Sequence, residues 1–129
     1  MKKSTKKFCL IKATVYPCDV LITTADDKDL FRYIEKNKHY KLTEEEKKHL
    51  SDWHGNGRTT RLLGGQIIVR LRPSKTKIGI DLAILAHELF HVLMATGEYL
   101  NIKISDDSEE AFAYYQGWLI KQALLFYGP

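Results

Sequence analysis

"AILAHELFHVLMA", residues Ala83 to Ala95, is apolar at ten of its thirteen positions, and the exceptions, His87, Glu88 and His91, sit together in its middle. A run of this length, apolar around most of its circumference and followed by Gly97, reads as a helix from Ile80 to Ala95 with a glycine stop. Residues four apart on a helix project from one face, one turn apart. His87 and His91 can therefore grip one Zn²⁺ with two imidazole nitrogens, at about 2.0–2.1 Å each. Glu88, beside the first histidine, reaches a neighbouring water without ligating the ion. This is the His-Glu-x-x-His arrangement, in which zinc acidifies a water and the glutamate takes its proton. From Leu82 to Ala95 these three are the only polar side chains. An unpaired buried charge is costly, so the pattern points to a metal site rather than to two core histidines and an ion-paired glutamate.

A catalytic zinc takes three protein ligands and keeps one open position. The position six after His91 is Gly97, so no third histidine stands at the spacing of the longer His-Glu-x-x-His motifs. A carboxylate is the remaining choice, and the final helical segment, Ser105 to Phe126, offers Glu109 and Glu110 near its start. Both also suit a helix N-terminus, and Asp107 with Glu110 could form a capping box. Glu110 shares a stripe with Ala113, Tyr114 and Gly117, and the small residues there would let this helix approach the histidine helix closely. Glu109 shares its stripe with Phe112, Ala113, Gln116 and Ile120, which is bulkier. Glu110 is therefore the preferred third ligand, with Glu109 in reserve.

Outward from this pair of helices, Phe8 to Tyr16 and Asp19 to Thr24 favour strand, split by Pro17. Asp26-Asp27 opens a helix with Leu30, Phe31 and Ile34 on one face. Thr43 and Glu46 form a capping-box pair before a second short helix carrying Leu50 and Trp53. His54 to Arg58 reads as a loop. In "TTRLLGGQIIVRLR", Thr59 to Arg72, two strand-like runs flank Gly64-Gly65, which suits a two-residue hairpin turn. Arg70 and Arg72 read as a solvated strand face, and Trp53 and Trp118 as core or interface. The expected fold is α+β, one domain over residues 1–129, with a small, largely antiparallel sheet packed on helices.

The bulk numbers fit that reading. With 129 residues, 44% apolar and 28% charged, the chain buries a core without staples. No stretch approaches the roughly 20 apolar residues of a membrane span, and no apolar block suited to a signal peptide follows the basic N-terminus. A cytoplasmic location is expected, and no membrane partner. Cys9 and Cys18 read as buried free thiols of a reducing compartment. The net charge of +4 owes much to four lysines in the first seven residues, read as a flexible basic tail. No nucleic-acid motif accompanies them, so nucleic acid is not an expected partner.

"HELFH" followed by "SEEAFAYYQGWL" resembles the small gluzincin-type zinc metallopeptidases, minimal zincins that include small bacteriophage proteins. More distantly it resembles regulatory metallopeptidases of the ImmA/IrrE kind. The resemblance spans roughly Gly64 to Tyr127. It implies a zincin-like domain, Zn²⁺ held by His87, His91 and Glu110, Glu88 as general base, and a peptide or protein substrate. A phage origin would place it in the host cytoplasm. Family members hold an extended peptide along an edge strand, a place that "GGQIIVRLR" would take here. Tyr114, Tyr115 and His54 are candidate donors to the developing oxyanion. The chain lacks the second domain that walls the cleft of large gluzincins, which implies a narrow substrate, a wall supplied by a partner, or no peptidase activity. The alternative function is a non-catalytic metal-binding module acting through protein–protein binding.

Overall fold

A computed structural model describes residues 7–12, 16–37 and 41–128. The basic tail, apart from Lys7, and residues 13–15 of the first strand-favouring run lie outside the described residues. In chain order the elements are β1 (Phe8–Ile11), β2 (Val20–Thr23), α1 (Asp27–Asn37), α2 (Glu44–Ser51), β3 (Gly57–Arg61), β4 (Ile67–Leu71), α3 (Leu82–Leu100) and α4 (Glu109–Tyr127). The four strands form one sheet in the order β1-β2-β4-β3. The outer pairs are antiparallel, as expected, but the central pair β2·β4 is parallel, so the sheet is mixed. A parallel pair needs a long crossover, and the segment through α1, α2 and β3 supplies it.

Burial sorts the strands by rank in the sheet. Every residue of β2 and β4 is buried, as central strands covered on both faces require. The sheet separates two apolar layers. Cys9, Ile11, Val20, Ile22, Ile67, Val69 and Leu71 face α3 and α4, while Leu21 and Ile68 face Leu30, Ile34 and Leu50 of α1 and α2. Period-two alternation explains the split, since neighbours along a strand point to opposite faces. The antiparallel register pairs Gly57, Thr59 and Arg61 of β3 with Leu71, Val69 and Ile67. Those three β3 residues therefore share the face that looks onto α3.

Local signals build the helices. Asp26 Oδ1 accepts the Asp29 N–H at 2.8 Å at the start of α1. At α2, Thr43 and Glu46 form the expected reciprocal capping box, at 3.1 and 3.0 Å. Asp81 Oδ1 accepts from the Ala83 and Ile84 N–H groups and opens α3.

Several expectations need correction. Gly97 does not stop α3, which runs on to Leu100. The stop is Asn101, left-handed at φ 56, with its N–H bonded to Glu98 O and the Ile102 N–H to Gly97 O at 2.7 Å. That pair of hydrogen bonds is a Schellman motif, and Gly97 is the first of its six residues. A Cβ on Gly97 would lie 2.7 Å from Ile102 O, so glycine is needed for close approach. The hairpin has three loop residues, not two: Leu62 N–H bonds Gln66 O, Gly65 N–H bonds Leu62 O, and of the two glycines only Gly65 has positive φ. Gly57 and Arg58, read as loop, belong to β3. Arg70 is not solvated but 3% exposed, because β4 is central and its side chain enters the α1–α2 layer. There it meets Asp27 Oδ1 at 2.5 Å and the Leu50 and Ala25 carbonyls at 2.7 and 2.9 Å. Arg72 stacks over the Trp53 ring, 3.8 Å from its centroid. Cys9 and Cys18 are buried and free. Among the described residues, no helix is long and apolar enough to cross a membrane.

Candidate metal centre

The core side of α3 carries Leu85, Leu89, Val92, Leu93 and Thr96, all buried. At 100° per residue, His87 and His91 fall on the opposite side, and both are exposed. Their Nε2 atoms stand 3.3 Å apart, with ring planes at 72°. Two ligands each about 2.0–2.1 Å from an ion in tetrahedral geometry are roughly 3.3–3.4 Å apart. The spacing of the two nitrogens is therefore that of two ligands on one zinc ion. His87 is exposed, whereas the Glu88 side chain between them is only 6% exposed.

Glu88 turns from the histidine face toward β3. Its Oε1 accepts from the Thr59 hydroxyl at 2.9 Å, and its Oε2 lies 3.8 Å from His87 Nε2. The Thr59 hydroxyl also lies 3.0 Å from the Glu88 backbone carbonyl. Gly57 leaves room for this carboxylate: a Cβ there would sit 2.9 Å from Glu88 Cγ. Among the described residues, His87, Glu88 and His91 make a group whose potential ligand atoms all lie within 4.8 Å of one another.

A groove runs beside this group, walled by β3 on one side and by α3 on the other. Leu62 N–H to Gln66 O and Arg72 N–H to Asn56 O fix the even-numbered residues of β3 as the hydrogen-bonded pairs with β4. Gly57, Thr59 and Arg61 accordingly turn their backbone N–H and C=O groups to the open edge, where no described strand pairs with them. The expected edge segment "GGQIIVRLR" is instead the hairpin turn and the central strand β4. The open edge beside the histidines is β3, "GRTTR".

The other candidates fall as follows. Glu109 and Glu110 are exposed in the first turn of α4 and stand outside the three-residue group. The stripe expected to carry Glu110 to α3 does not pack: Ala113 and Gly117 are exposed, Tyr114 is 73% exposed, and a Cβ on Gly117 would meet nothing within 4 Å. The buried side of α4 is Phe112, Tyr115, Leu119, Ala123 and Tyr127. Asp107 and Glu110 form no capping box, for Ser108 is the N-cap and its hydroxyl donates to Lys103 O instead. Glu98 lines the groove, but seven residues along a helix place it about 10.5 Å beyond His91. Tyr115 is buried against Tyr16, and burial pushes its phenol up to about 12. His54 is exposed in the loop after α2. Sequence reasoning missed Thr59 and Gly57, whose only signal was a hydroxyl residue two places from a glycine in a weak strand. No protein-family model, no curated protein and no solved structure matches this chain.

Proposed function

We propose that the protein is a zinc-dependent metallopeptidase that hydrolyses an extended peptide or protein segment, with Glu88 as general base. The observation that carries the reading is the 3.3 Å convergence of His87 and His91 Nε2 beside a buried carboxylate. His87 and His91 are the ligands, with a carboxylate from the first turn of α4, Glu110 or Glu109, proposed as the third. Zinc, when bound, supplies Lewis acidity at the scissile carbonyl and lowers the pKa of water toward about 7. Glu88 Oε2 faces the histidines and takes the proton of the attacking water, while Oε1 stays on Thr59. A C–O bond forms at the carbonyl carbon, the C–N bond breaks, and Glu88 hands the proton to the leaving amine nitrogen. The outward backbone groups of Gly57, Thr59 and Arg61 hold the peptide as an added strand.

Zinc stoichiometry of the purified protein and mass-spectrometric cleavage of a peptide library test the reading together. Glu88→Gln should keep its zinc and lose roughly 10²–10⁴-fold in turnover. A protein that takes up no zinc after supplementation sinks the proposal. Zinc uptake without cleavage of any peptide leaves the metal-binding module in its place.

A further inference from the structure

We infer that Thr59 is a positioning residue for Glu88, and that it couples docking of a peptide on β3 to the placement of the base. The inference rests on the peptidase reading for its consequence, and on the geometry of β3 and α3 for its cause.

Glu88 is a buried carboxylate on a helix whose neighbouring histidines face elsewhere. A glutamate has three side-chain torsions, and fixing them costs entropy that a partner must offset. The Thr59 hydroxyl provides that partner, 2.9 Å from Oε1. Threonine suits the task because β-branching narrows its own χ1 choices, and a strand favours it. Gly57, two residues back on the same face, admits the Glu88 methylenes that a side chain would displace. With Oε1 held on Thr59, the other oxygen is left toward the histidines.

The backbone of the same residue has a second duty. Thr59 belongs to the non-hydrogen-bonded set of the β3·β4 pair, so its N–H and C=O point out of the sheet at the open edge. Its side chain lies on the sheet face toward α3. A peptide that pairs with Thr59 is thereby set in register with the one side chain that fixes the base. Misplacing a catalytic group by about 1 Å can cost around a hundredfold in rate. A single residue that references both substrate and base removes one source of that error.

Three variants test this: Thr59→Val keeps shape and removes the hydroxyl, Thr59→Ser keeps the hydroxyl, and Thr59→Ala serves if valine prevents folding. Crystal structures of the metal-free proteins should show the Glu88 carboxylate displaced in Thr59→Val or Thr59→Ala and in place in Thr59→Ser. Zinc affinity should match wild type in all. On a cleaved peptide, Thr59→Val should lose about 10–100-fold in kcat, with the loss restored by serine. A Glu88 carboxylate that keeps its place in both Thr59→Val and Thr59→Ala overturns the inference, as does unchanged kcat in those variants. If wild-type protein cleaves nothing, the peptidase reading fails, and the metal-free structures still decide whether Thr59 holds Glu88.

Discussion

Glu88 and the two histidines obey different rules although they lie within five consecutive positions. A buried charge demands a partner, which holds for Glu88, 5% exposed, and not for His87 or His91, which are exposed. The carboxylate accepts from a hydroxyl of β3, a neutral partner. The imidazoles meet each other and, at His87, the Glu88 carboxylate, and their 3.3 Å approach is a consequence of i, i+4 spacing. Substitution in the first turn of α4 tests the third ligand. Glu110 and Glu109 differ in sequence by one place but in direction by about 100°. Outer-shell partners alone are worth roughly 10–100-fold in metal affinity. Whichever of Glu110→Ala and Glu109→Ala removes the third ligand should weaken zinc binding by at least that factor in competitive chelator titrations, with the other near wild type. Equal affinities for both variants and wild type would remove both glutamates from the ligand set.

Two glycines, one in α3 and one in α4, show how element context overrides propensity. Glycine inside a helix is less favourable than alanine by about 1 kcal/mol. Gly117 of α4 is exposed with open space around it, so Gly117→Ala should stabilise by up to about that amount. Gly97 of α3 is buried, and its added Cβ would meet the Ile102 carbonyl at 2.7 Å. Backbone cannot yield as a side-chain tip does, and the Schellman bonds at 2.7 and 3.2 Å would open. Gly97→Ala should therefore destabilise by about 1–3 kcal/mol, and opposite shifts of the two thermal midpoints check the pair. A shared sign would show that the α3 turn yields more readily than its contacts imply. These elements also mark where sequence reading succeeds. The capping box at Thr43 and Glu46, the histidine helix and the two flanking strands were readable because their signals are local. The role of Gly97 was not, because it depends on Ile102 closing back on it. The buried stripe of α4 was hidden by apolar side chains on every side, including Tyr114 and Leu125, 73% and 69% exposed. The preference for Glu110 over Glu109 rested on that stripe.

At the scale of the molecule, strand order was the least readable property, since it depends on which segments meet across long separations. β4 looks like an amphipathic strand with basic residues toward water, yet pairing with β2 makes it central and turns Arg70 into an internal clasp between layers. The same centrality moves the open edge to β3 and brings Thr59 to Glu88. It also buries titratable groups between the sheet and α3–α4. Burial raises the Cys9 thiol from 9.0 to about 11 and the Tyr115 phenol from 10.0 to about 12, and it raises Tyr127 as well. In each case the protonated form is the neutral one that the folded protein accommodates. The unfolded chain loses these protons first as pH rises, so from about pH 9 upward the folded state binds more of them than the unfolded. Stability from these groups is therefore complete below pH 9 and is lost between 9.0 and about 11 for Cys9 and between 10.0 and about 12 for Tyr115. Denaturant midpoints should be level from pH 7 to 8.5 and fall steeply above 9. Cys9→Ala should lower the plateau through the lost packing yet shrink the fall between pH 9 and 10.5, because one of the coupled protons is gone. An alanine variant whose midpoint falls as steeply as wild type over that window would show that the Cys9 thiol contributes nothing to the alkaline loss of the fold.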